Sequence, residues 1–90
     1  MEIRVLLELT RVLIMEEALK RRNDPANCLT VVSFHYWVKE AAKKHGYGEE
    51  VAAATLVHLR RMTLELGTGT HDVFSRVEAL ELMERAESIT

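Results

Sequence analysis

Apolar residues along this chain recur at three- and four-residue steps, and the recurrence stops at three places. The clearest stripe is Ala52, Thr55, Leu56, Leu59, Met62, Thr63 and Leu66, which lies on one face of a helix. The same period read along the whole chain predicts four helices, at about 2–22, 29–45, 49–66 and 71–88. The breaks between them are chemical. "NDPAN" follows helix one, where Pro25 cannot continue a helix and Asn23 and Asp24 favour turns. Glycines 46 and 48 separate helices two and three, and "GTGT" ends helix three. The first nine residues also fit strand alternation, with Ile3, Val5, Leu7 and Leu9 on one side. No turn signal divides them from "VLIMEEALKRR", so one continuous helix is expected.

Charges sit where helix dipoles want them. Lys43, Lys44 and His45 fill the last turn of helix two, ahead of Gly46, which is placed to be a left-handed C-cap. Glu49 and Glu50 open helix three. Thr30 or Asn27 is the expected N-cap of helix two, and Thr70 that of helix four. Short connections imply an up-down-up-down order. The fold class is therefore all-α: a small bundle of about four helices in a single domain, with no internal repeat evident.

Two features exceed what a small bundle can bury. "SFHYWV" puts Phe34, His35, Tyr36 and Trp37 on successive positions about 100° apart, sweeping most of the circumference. Val5, Leu6 and Leu7, and then residues 12–15, do the same on helix one. Helix four is divided as well: Val73, Val77 and Leu80 mark one face, and Ala79, Leu82, Ala86 and Ile89 nearly the opposite one. It must bend, or its second half must pack on something other than this chain. Surplus apolar surface of this kind marks an interface. A homodimer, or a complex with another protein, is expected through Leu6, Leu13, Phe34, Tyr36, Trp37 and Leu82.

Composition narrows the function without naming it. Ninety residues support one core and a thin stability margin. Twelve basic against 14 acidic residues give a net charge of −2, not the overall footprint of a nucleic-acid binder. Glu8 and Arg11 interrupt any signal-peptide core, and the longest purely apolar run is only residues 12–15, so no membrane association is expected. The single cysteine suits a reducing, cytoplasmic setting.

Candidate chemistry is sparse. Residues 41–61, "AAKKHGYGEEVAAATLVHLRR", have loose helix-turn-helix spacing, which raises a nucleic-acid-binding regulator as the alternative function. In that motif the start of the second helix meets base edges and phosphates. Here it offers Glu49 and Glu50 to a polyanion, so a structural corner is the expected role. In an up-down bundle, helices one and three end at the same pole and gather Lys20, Arg21, Arg22, Arg60 and Arg61 into a basic cap. That cap is a candidate site for an anion or acidic partner. At the other pole Glu84 and Glu87 are expected to face Lys43 and Lys44. Cys28 has no histidine beside it, and His35, His45, His58 and His71 show no metal-ligand spacing. Glu78, Glu81, Glu84 and Glu87 form an acidic stripe. No catalytic residue, metal or cofactor is expected, and the reading favoured is a non-enzymatic protein-interaction module.

Overall fold

The computed structural model describes residues 2–21, 31–65 and 73–89. Four helices make up most of it: α1 (Glu2–Lys20), α2 (Phe34–His45), α3 (Glu49–Glu65) and α4 (Arg76–Ser88). The opening residues are helix, not strand. On α1 the buried residues are Leu6, Leu7, Thr10, Leu13 and Ile14, whose 1-3-3-1 steps trace a single helical face. This is the all-α bundle that the periodicity predicts. Among the described residues, no helix is long and apolar enough to cross a membrane.

The starts of helices two and four lie elsewhere than the sequence suggests. Two three-residue strands, β1 (Val31–Ser33) and β2 (Val73–Ser75), precede them and pair antiparallel, Val31 opposite Ser75 and Ser33 opposite Val73. Their central residues, Val32 and Phe74, point into the core, while Val31 and Val73 face outward. Each strand ends on the serine that caps the following helix. Ser33 Oγ accepts from the Tyr36 amide at 3.4 Å, and Ser75 Oγ accepts from the Glu78 amide at 3.3 Å. The proposed caps Asn27, Thr30 and Thr70 lie outside the described residues. Ser75 also donates its hydroxyl to Glu78 Oε1 at 2.9 Å, which ties the cap to the first turn of α4. Replacing either serine by alanine is expected to cost about 1 kcal/mol, read as a lower urea midpoint at unchanged slope.

The result is one architectural unit used twice, helix–strand–helix, with the two units joined through their strands. Correspondences extend inside the long helices. Thr10 and Thr55 each lie ten positions before the end of their helix, both fully buried. Each hydroxyl donates to the carbonyl one turn back, Thr10 to Leu6 at 2.7 Å and Thr55 to Val51 at 2.8 Å, which satisfies it within the core.

Helix α4 needs neither a bend nor an outside partner. Val73 belongs to β2, and Val77 and Ile89 are exposed. That leaves Ala79, Leu82, Met83 and Ala86 as one buried face against the rest of the chain. Helix α1 is the hub, packed against the other three helices.

Candidate interaction surface

The corner at 41–61 is explained by capping. Helix α2 ends at Gly46 with φ 75° and ψ 23°, and the amides of Gly46 and Tyr47 both donate to the Ala42 carbonyl, the latter at 2.8 Å. A β-carbon on Gly46 would meet no atom within 4 Å, so only the backbone conformation requires glycine there. Gly46→Ala should therefore cost about 1–2 kcal/mol from the left-handed φ alone. Gly48 has the same open space and no positive φ but sits at the N-cap of α3, where alanine is less favoured than glycine. Gly48→Ala should cost less than Gly46→Ala, about 0.5 kcal/mol. Thermal melts of the two variants side by side separate conformation from crowding. Beyond the corner, Glu49 and Glu50 are exposed in the first turn of α3, where their negative charge suits the helix dipole and repels a phosphate.

The basic-cap residues are distributed as follows. Lys20 and Arg21 turn back to Glu17 of their own helix, at 3.5 and 3.7 Å. Arg60 and Arg61 are exposed on α3, and Arg22 lies outside the described residues. Lys43 and Lys44 do not lie at the opposite pole that the up-down order predicts: they share a cleft with Arg21 at the end of α1. Lys44 pairs with Glu16 of α1 at 3.6 Å, and Glu87 receives Arg11, with Nε–Oε2 at 3.0 Å. Both pairs tie a later helix to α1, because α1 is the hub and its flanks are the nearest charged surfaces. His58 Nε2 lies 3.1 Å from the Ala86 carbonyl and links α3 to α4. Cys28 and His71 lie outside the described residues. Among those described, no cluster of three potential metal ligands occurs.

The six expected interface residues divide five to one. Leu6, Leu13, Phe34, Trp37 and Leu82 are buried within the chain's own core. Phe34 stacks on Phe74 with ring centroids 4.8 Å apart, which closes the space beneath the strands. Tyr36 is the exposed member, and its ring meets Trp37 edge-on at 5.1 Å. Those two rings and Leu13 line a cleft of about 560 Å³ between α1 and α2, walled by Glu17, Arg21 and Lys44.

An uncovered apolar surface lies on the other side of α1. Val5, Val12, Met15 and Leu19 are between 40% and 63% exposed. At 100° per residue they fall within an arc of roughly 80°, about opposite the buried face. Helix α1 thus carries two apolar faces, and the described residues cover one. The open face has defined borders: Arg11, paired with Glu87 of α4, lies along one edge, and Glu16, paired with Lys44 of α2, along the other. The heptad signal was present in the sequence as Val5, Val12 and Leu19. What the pattern left open was which of two faces the core would take.

The arrangement presents apolar side chains between charged edges. A helix–connection–helix order also frames calcium-holding EF-hands, whose loop reads D-x-[DN]-x-[DN]-G and closes on a glutamate. The connecting sequences "RNDPANCLTVVS" and "LGTGTHDVFS" do not carry that spacing. Compared with known proteins, the chain matches no family model, no curated protein and no solved structure.

Proposed function

We propose that this chain is a non-enzymatic protein-interaction module, such as an assembly subunit, an adaptor or a small inhibitor of a larger complex. It would work through apolar surface on α1, supplemented by Tyr36 on α2. The observation that carries this reading is the second apolar face of α1. Four half-exposed aliphatic side chains in one line hold roughly 1 kcal/mol each of burial free energy that the monomer leaves unused. An exposed stripe of that kind, interrupted by Glu8 and bordered by charge, is the usual surface of a protein contact. The single cysteine fits a reducing, cytoplasmic setting for it.

A photoreactive benzophenone amino acid at Val12 or Tyr36, irradiated in the producing cell, tests the proposal directly. A discrete adduct heavier than the chain is expected at position 12, and a weaker one at position 36. Position 57, on the exposed side of α3, serves as the comparison. If neither 12 nor 36 yields an adduct above that comparison, the interaction reading fails.

A further inference from the structure

We propose that the partner of the open α1 face is α1 of a second copy, lying parallel to it about a two-fold axis. This rests on the interaction role argued above and specifies its occupant. Val5, Glu8, Val12, Met15 and Leu19 succeed one another at steps of three, four, three and four, the a/d seam of a two-helix contact. Valine at the a positions 5 and 12 suits a parallel pair of two helices.

Charge decides the orientation. On one side of the seam lies α4, whose Glu78, Glu81, Glu84 and Glu87 outnumber Arg76 and Arg85. On the other lies α2, whose Lys43 and Lys44 outnumber Glu40 in the cleft beside α1. The ion pairs Arg11–Glu87 and Glu16–Lys44 fix which helix lies on which side. A two-fold axis along α1 brings the acidic flank of each copy to the basic flank of the other. An antiparallel arrangement sets acidic flank against acidic flank and basic against basic. The parallel one also brings Arg11, a g position, to Glu16 of the second copy, an e position five residues on. The two internal pairs then join into an alternating row: Glu87, Arg11, then Glu16 and Lys44 of the second copy. Symmetry makes that row twice, so the contact is isologous and closes at two chains.

The one discordant layer is Glu8, which meets its own counterpart in the seam. It costs affinity, because two carboxylates face each other at that layer. Glu8→Leu is accordingly expected to tighten the dimer by about tenfold or more, measured by sedimentation equilibrium. Loosening would overturn the seam.

The closing experiment uses the full chain with Cys28→Ser and a single new cysteine, Val5→Cys or Leu19→Cys, under mild oxidation. Their Cα atoms should lie within disulfide reach only of the same residue on a parallel neighbour. Each variant alone is expected to give a covalent product of twice the chain mass, while Val57→Cys on α3 does not. Both new positions are exposed, and circular dichroism checks that each variant keeps its helices. Bridging only when the two variants are mixed would mean antiparallel helices and overturn the orientation. Bridging no greater than that of Val57→Cys overturns self-pairing. The position-12 photo-adduct then separates the two levels. An adduct of two identical chains supports the second copy; an adduct with a different polypeptide overturns it and leaves the interaction role standing; no adduct at position 12 overturns the second copy, and none at position 36 either removes both.

Discussion

Replacing Trp37 by alanine is expected to lower the unfolding free energy by about 3–5 kcal/mol, more than any other change considered for this chain. Trp37 is only 8% exposed and stands in the floor of the α1–α2 cleft beside Leu13. Truncation removes the transfer free energy of an indole and leaves a cavity that the two packed helices can close only in part. A 90-residue domain has on the order of 5–13 kcal/mol to lose, so the variant should sit near the edge of folding. The neighbouring ring is the control. Tyr36 is 55% exposed and touches Trp37 edge-on, so Tyr36→Ala should cost less than about 1 kcal/mol. Urea titrations of the two variants give the comparison. Equal losses would contradict the burial. If Trp37→Ala left stability intact and changed only association, the ring would have to be an interface anchor after all.

That contrast also marks how far the sequence could be read. Periodicity and capping chemistry gave α1, α3 and the Gly46 corner, because each is specified by residues within a few positions of one another. The strands were not legible from period: three residues are too few, and Val31–Ser33 finds its partner about forty positions away. A local sign existed in the spacing of Ser75 and Glu78, which places the start of α4 at residue 76. Surplus apolar surface on helix one was legible from residues 5–7 and 12–15. Its direction was not. Leu6 and Leu13 turn inward and Val5 and Val12 outward, a difference of one residue and therefore of 100°. Both faces are apolar, and only tertiary packing, with α2, α3 and α4 all gathered on one side, selects between them.

The second large effect is expected at the contact between the first helix and the last. Arg11 donates Nε to Glu87 Oε2 at 3.0 Å and Nη2 to Oε1 at 3.4 Å, a two-pronged contact across 76 positions of sequence. The partners are unequally buried, with 30% of the Arg11 side chain exposed and 11% of Glu87. Removing the arginine takes the guanidinium away from a carboxylate held mostly out of water, so Arg11→Met should cost about 2–3 kcal/mol. Removing the carboxylate charge is milder. The long arginine stem can carry its head to solvent, and Glu87→Gln should cost about 1 kcal/mol. Replacing both, as Arg11→Met with Glu87→Leu, should recover much of the loss, since two packed apolar side chains need no desolvated charge between them. A double-mutant cycle measures the coupling, and repeating it in 1 M salt tests the burial, because a pair this sheltered is screened less than a surface pair. A coupling near zero would mean that α4 is held to α1 by Leu82, Met83 and Ala86 alone. A coupling of the expected size makes Arg11 both the clasp of the monomer and the charged edge of its open face.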